Sequence, residues 1–309
     1  MDKKDSPFLS IIIPTKDREE ILSESLVRIH EILNKINFEV IVVNDSNKPL
    51  EFGYPKVRIT SNPGHGVAAA RNHGASLAMG KYFIFMDDDM ILSFMVPEAI
   101  THWSDTYNGS CVNANWVYPK DLQRDISNEK FGRFLNHFGF TSLEGWHKDH
   151  FWDAYQIFEV KSVTSQFLWM SREVFQKIGG YNDKFPFAGF EDYDLAKKLN
   201  KHEVSIFIDP LLMVEHNERD RATDIHAWMA RRQRGGKTRR VAVELGHQEL
   251  TLKYGWFKSA VYQLISRYDV LVYYSLNMVP NQKKFDKISF LLINILYGAS
   301  VYRGYFQEE

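Results

Sequence analysis

The stretch Tyr82–Met90, YFIFMDDDM, constrains this chain more than any other. Five apolar residues in a row, three of them aromatic, read as a strand buried on both faces, which is the mark of a sheet covered by helices. The run ends directly in Asp87, Asp88 and Asp89. Three adjacent carboxylates repel one another, and ligands of open α/β sheets gather at the carboxyl ends of strands, so a cation there would relieve the repulsion. Taken alone, the triplet is equally compatible with a solvated acidic turn, because acidic residues are common where strands end.

The segments before it build a sheet that such a strand can join. Leu9–Ile13 reads as a buried strand ended by Pro14, and Glu19–Leu33 carries apolar residues at 22, 26, 29, 32 and 33, a helical stripe. Phe38–Val43 is a second strand, so the three form a βαβ unit with parallel strands and a right-handed crossover. After the loop Ser46–Pro55 come a short strand at Val57–Thr60, the turn Asn62–Gly66 and a helix over Val67–Met79, with Gly80 expected as its C-cap.

Beyond the aspartates, Val96–Tyr107 predicts a helix and Cys111–Tyr118 a strand, whereas Pro119–Phe158 has no clear period and is expected to be an irregular insertion. Phe167–Met170 is a strand, and Ser171 an N-cap for a short helix, Val174–Ile178, closed by Gly179 and Gly180. The aromatic loop at 185–190 opens a helix at Glu191, with Leu195, Ala196 and Leu199 facing inward. Val204–Ile208 is a strand expected to stop at Asp209–Pro210, with Leu211–His216 a further extended piece.

Composition excludes several classes. With 38 basic against 39 acidic residues and a net charge of −1, bulk electrostatics do not suit a nucleic acid partner. Cys111 is the only cysteine, so there is no disulfide framework and no cysteine-based metal site, and a reducing, cytoplasmic compartment is the simplest expectation. The N-terminal MDKKDSPF has no apolar run to make a secretory signal, and the longest apolar stretch, Ile288–Tyr302, is shorter than the roughly 20 residues a membrane-spanning helix needs. From residue 219 the character changes: Arg219–Arg240 holds eight arginines and lysines against two acids, and Val241–Phe306 shows helical runs rich in aromatic residues. This tail fits a helix lying on the inner face of an anionic membrane, and its aromatics fit contacts in a homo-oligomer equally well.

Five motifs in order, SIIIPTKDRE, VIVVNDS, NPGHGVAAARNHG, FIFMDDD and AGFEDYDLAKKL, make the chain resemble the inverting nucleotide-sugar glycosyltransferases of family 2, over residues 8–220. The resemblance implies the GT-A fold: an α/β, Rossmann-like mixed sheet flanked by helices, here with a mainly helical C-terminal extension. It places a catalytic domain at 1–218, with a nucleotide half at about 1–118 and an acceptor half at about 119–218, and a helical, basic and aromatic region at 219–309. The implied reaction moves a sugar from a nucleotide donor, UDP by preference, to a glycan or lipid-linked glycan with the help of Mn²⁺ or Mg²⁺.

The same resemblance assigns residues. Pro14, Thr15 and Arg18 fall in the loop that covers the nucleoside, Asp45 matches an aspartate that accepts the uracil imide proton, and Arg71 matches an arginine flanking the base. Asn44 stands where many relatives have a further Asp, which weakens the choice of uracil. Asp89 is implied as the first metal ligand, with Asp87 reaching metal or ribose, and His216 as a further ligand. Asp192 is implied as the general base and Glu191 as its neighbour toward donor or acceptor hydroxyls.

The chemistry of the residues runs parallel. A diphosphate needs a hard divalent cation held by one or two carboxylates, and Asp87 and Asp89 alternate onto one side of the strand end, leaving Asp88 with no role beyond charge. A helix N-terminus favours negative charge, which suits a base at Glu191–Asp192 but also explains acids in first turns generally. Asp194 lies off that face and reads as structural. Two alternatives remain. A sugar nucleotidyltransferase would need a glycine-rich loop after the first strand, where this chain has Pro14-Thr15-Lys16-Asp17-Arg18; an inactive glycan- or nucleotide-sugar-binding homologue would not need the intact acids.

Overall fold

The computed structural model describes residues 6–307; Met1–Asp5, part of the stretch read above as lacking a secretory signal, and residues 308–309 lie outside them. The chain divides into two compact units. One comprises the chain up to Tyr118, Ser142–Pro186 and Glu191–Asn217; the other comprises Pro119–Thr141, Phe187–Phe190 and the chain from Glu218 on.

The first unit begins with Leu9–Thr15 (β1), Glu19–Ile32 (α1), Phe38–Asn44 (β2), Val57–Ser61 (β3), Gly66–Leu77 (α2) and Tyr82–Met86 (β4). All five residues of β4 are buried, as their unbroken apolar run requires. The strands β3, β2, β1 and β4 lie side by side in that order and all parallel, so the chain moves outward from β1 to β3 and then returns to the other side of β1. That reversal is a topological switch point, and it brings the loops after β1 and after β4 together at the carboxyl end of the sheet.

The helix before β4 ends earlier than its sequence suggests. Ala78 turns extended at φ −68° and ψ 139°, so Gly80 is not the C-cap. It lies where the backbone passes β1, and a Cβ there would sit 2.6 Å from the Ser10 nitrogen. Close approach, not a left-handed cap, requires this glycine.

Met90–Ile91 (β5), Val96–Thr106 (α3) and Cys111–Val117 (β6) follow, and the chain then forms Lys120–Ile126 (α4) and Lys130–His137 (α5) of the second unit. It returns to the first unit as Leu143–Trp146 (α6), Phe158–Val160 (β7), Phe167–Ser171 (β8), Arg172–Ile178 (α7), Glu191–Lys201 (α8) and Ile206–His216 (β9). The expected irregular insertion is therefore three short helices and a small strand. Its apolar residues recur over only one or two turns each, too short a window for a period to show. Ser171 does cap α7, accepting from the Val174 N–H, and Gly179 closes it in the left-handed conformation at φ 74°.

Strands β8, β6, β9 and β5 extend the sheet from β4; β8 runs antiparallel to both β4 and β6, which makes the sheet mixed. The break expected at Asp209–Pro210 does not end β9. Pairing with β6 shifts between Ala114 and Asn115, so Pro210 sits in a bulge where no ladder N–H is needed. Asp209 holds the bulge by accepting from the Leu211 and Leu212 N–H groups and from the Trp103 indole at 2.9 Å.

The second unit is helical, adding Ile225–Glu244 (α9), Trp256–Arg267 (α10), Asp269–Met278 (α11) and Asp286–Phe306 (α12) to α4 and α5. Its core joins Phe131, Phe134 and Leu135 of α5 to Trp228 of α9, Leu276 of α11 and Ile293 of α12. Lys130 donates to the carbonyls of Leu276 and Val279 at the C-terminal end of α11, where a cation meets the negative end of the helix dipole. Among the described residues no helix is long and apolar enough to cross a membrane.

Helices α9 and α12 cross at Gly236 and Gly304; a Cβ on Gly304 would lie 1.9 Å from the Gln233 carbonyl oxygen. Gly304→Val is accordingly expected to cost about 1–3 kcal/mol by forcing these helices apart. A urea midpoint unchanged from the parent would refute the close crossing.

Candidate active site

The site is assembled at the switch point. Asp88, in the middle of the triplet, turns back onto the β1 loop: it accepts from Thr15 Oγ1 at 2.7 Å and from the Arg18 guanidinium, and its carbonyl accepts from Ser25. It is thus the clamp that fixes Thr15 and Arg18, a role the alternation argument left out. Burial foremost, then the charge of Asp89, push its pKa up to about 7 against the pull of Arg18 and Thr15.

Asp89 is fully buried. Its Oδ2 accepts from Arg18 at 2.9 Å and its Oδ1 lies 3.2 Å from His216 Nε2. The register explains the meeting: Met90 of β5 pairs with His216 of β9, and the Asn217 N–H donates to the Asp89 carbonyl. The imidazole is held edge-on between Trp116 and Tyr118, with centroids 5.2 and 5.6 Å away. A mixed oxygen and nitrogen donor pair results, both members buried. Glu218, also buried, follows two residues after His216.

Asp87 takes a different partner. It accepts from Arg71 Nη2 at 2.9 Å and keeps 32% of its side chain exposed. Burial, partly offset by Arg71, pushes its pKa up as well. Arg71, expected to flank a nucleotide base, is 3% exposed and donates through Nη1 to Glu191 at 3.2 Å, with Asp192 at 3.9 Å. Burial would lower its pKa, but Tyr181, Asp87, Asp192 and Glu191 outweigh that and hold the guanidinium charged. One arginine therefore ties the end of β4 to the start of α8.

Glu191, expected near substrate hydroxyls, is buried against Arg71. Asp192 is the more open of the two, with 24% of its side chain exposed. It accepts from the Ser165 N–H at 3.0 Å and from the Ser165 hydroxyl, which itself meets the Tyr181 hydroxyl at 2.7 Å. Ser165 and Tyr181 escaped the sequence reading. No spacing rule links Ser165, two residues before β8, to a carboxylate 27 residues later. Asp194 pairs with Lys198 on its own helix at 3.5 Å.

Asp45 follows β2, its N–H bonded to the Thr15 carbonyl. Its Oδ1 accepts from Asn62 and the Gly66 N–H, and Oδ2 lies 3.4 Å from Lys16. Pro14 and Thr15 complete β1 beside it. Trp169 is fully buried against Tyr82 and Trp103 and belongs to the core.

Known proteins share this arrangement at the level of the fold. Among curated proteins, the O-antigen biosynthesis protein RfbC of Myxococcus xanthus is 24% identical over 69% of this chain and 17% of its own length. An uncharacterized glycosyltransferase of Haemophilus influenzae is 27% identical over 62% of each, and a dolichol-phosphate mannosyltransferase of Pyrococcus furiosus 31% identical over 33% of this chain and 32% of its own. The chain thus spans less than two thirds of each of these relatives. Of solved structures, the mannosyltransferase PcManGT of Pyrobaculum calidifontis, in complex with GDP-Man and Mn²⁺, aligns at 14% identity with a TM-score of 0.54 over 100% of this chain and 90% of its own. GalNAc-T7, with UDP, GalNAc and Mn²⁺, aligns at 14% with a TM-score of 0.53 over 69% and 43%. The mixed sheet flanked by helices is that of GT-A glycosyltransferases. Residues 154–217 match the N-terminal domain of galactosyltransferase, and residues 10–179, more than half of the sequence, match Glycosyl transferase family 2: the chain belongs to that family.

Proposed function

We propose that this chain is a metal-dependent inverting glycosyltransferase that moves a sugar from a UDP-linked donor to a glycan or lipid-linked glycan, with Asp192 as general base. The observation that carries the reading is the Arg71 tie, which brings Asp87 at the strand end and Asp192 at the helix start to one guanidinium. An in-line displacement uses two such acidic positions: the leaving diphosphate is bound on one side of the anomeric carbon and the acceptor hydroxyl is deprotonated on the other.

The donor chemistry of Asp89 and His216, with Asp87 beside them, fits Mn²⁺ or Mg²⁺. When bound, such an ion neutralises the donor diphosphate and the charge that grows on it as the sugar leaves. Thr15 and Arg18, fixed by Asp88, and Pro14 line the nucleoside side, and Asp45 accepts the imide proton of the base. Ser165 donates to both oxygens of Asp192, so the carboxylate is oriented while each oxygen keeps acceptor capacity for a substrate hydroxyl. Glu191 neutralises and positions Arg71.

A panel of nucleotide sugars in a thermal-shift assay tests the donor. With Mn²⁺ a UDP-sugar at about a hundred times its Kd is expected to stabilise the protein by about 2.7 kcal/mol, and the shift should vanish with EDTA or in Asp89→Ala. A shift with GDP-sugars and none with UDP-sugars would reassign the base, and no shift with any donor would remove the transferase reading.

A further inference from the structure

The last helices of the second unit leave an apolar face uncovered. On α10, Trp256 is 84% exposed, with Phe257 beside it and Leu264 two turns on; on α11, Val270, Tyr274 and Met278 recur every fourth residue and are all more than 60% exposed. Each helix buries its other side. Tyr262 of α10 packs on Gly298 and Tyr302 of α12, and Leu276 of α11 enters the core. Single exposed apolar side chains need no explanation, but a run of large ones on two consecutive helices marks an interaction surface.

Charge identifies the occupant. Between residues 251 and 306 the only acids are Asp269 and Asp286, and each is held in an ion pair, with Arg303 at 3.0 Å and Arg133 at 2.7 Å. Lys253, Lys258, Arg267, Lys283, Lys284 and Lys287 are all exposed. Lys258 lies 5.0 Å over the Tyr254 ring and Lys284 5.1 Å over that of Phe285, so ammonium groups stand beside aromatic faces. A two-fold contact through this face would set lysines against lysines, and lysine is depleted from the cores of protein interfaces. A bilayer with anionic headgroups satisfies both features. Trp, Tyr and Phe rings settle at headgroup depth while lysine stems run along them to the phosphates.

We propose that α10, α11 and the lysine-bearing turn before α12 dock the protein on an anionic lipid surface, without crossing it. The test is co-sedimentation of the full chain with large unilamellar vesicles of phosphatidylcholine and phosphatidylglycerol, against phosphatidylcholine alone, at low and high salt. Binding is expected to need phosphatidylglycerol and to fall as salt rises. The triple variant Lys283→Gln, Lys284→Gln, Lys287→Gln should partition about 10²-fold more weakly, and Trp256→Ser with Phe257→Ser at least about 10-fold more weakly, both keeping the parent's circular dichroism spectrum. No binding to anionic vesicles, or equal binding by both variants, would overturn the proposal. So would a dimer in sedimentation velocity that Trp256→Ser with Phe257→Ser dissociates, since that outcome gives the face to a second copy of the chain. The assay uses no donor or acceptor, so its result is separate from that of the proposed transfer.

Discussion

Asp192→Asn is expected to lower sugar transfer by about 10²–10⁴-fold while leaving donor binding in place. The amide keeps the shape of the carboxylate, and it can still accept from the Ser165 N–H while donating to the Ser165 hydroxyl, which is free to turn toward Tyr181. What it loses is the ability to take a proton from the acceptor. Two measurements separate the effects: single-turnover transfer with a soluble acceptor, and the Mn²⁺-dependent thermal shift by donor. Turnover at the parent rate would remove Asp192 as the base; loss of the thermal shift as well would mean that the residue shapes the donor site and not the proton transfer.

Arg71→Met should produce the largest loss of stability in the first unit, about 3–5 kcal/mol. The arginine is buried, and its removal takes a cation at 3.2 Å from the equally buried Glu191 carboxylate and one at 2.9 Å from Asp87. Because the penalty comes from uncompensated charge, the double variant Arg71→Met, Glu191→Gln should recover part of it, and the coupling energy follows from a double-mutant cycle. Urea unfolding of the four proteins measures this. A single-variant cost under about 1 kcal/mol would show that the carboxylates around Arg71 are already neutral or solvated.

Legibility followed the range of the forces involved. The strands β1, β2 and β4, the helix α8 and the caps of α7 were readable because alternation, apolar runs and turn chemistry act over a few residues. Errors arose where a local signal has two causes. Gly80 after a helix reads as a cap, yet the glycine is needed for its closeness to Ser10; Asp209–Pro210 reads as a strand end, yet it forms a bulge that Trp103 helps to hold. Segment 119–141 gave no period because its helices run only about two turns each, and what α5 packs against, in α9, α11 and α12, lies far along the chain.

The candidate site divides the same way. Family motifs carry the acids, so Asp45, Asp87, Asp89 and Asp192 could be put forward as candidates from their order in the chain, and His216 from its place after the last core strand. Their partners could not. The clamp of Asp88 on Thr15 and Arg18 joins residues about seventy positions apart, and the bond from Arg71 to Glu191 joins residues 120 apart.

By itself, then, the sequence determined that a buried strand ends in three carboxylates within an α/β sheet, because hydrophobic periodicity and like-charge repulsion are properties of neighbours in the chain. Tertiary structure alone decided how the three divide. Order reversal around β1 sends Asp88 back to the β1 loop, β5 pairing with β9 sets Asp89 beside His216, and Asp87 is left to face Arg71. Which charge meets which partner is a matter of sheet order and register, and neither is encoded within any one segment.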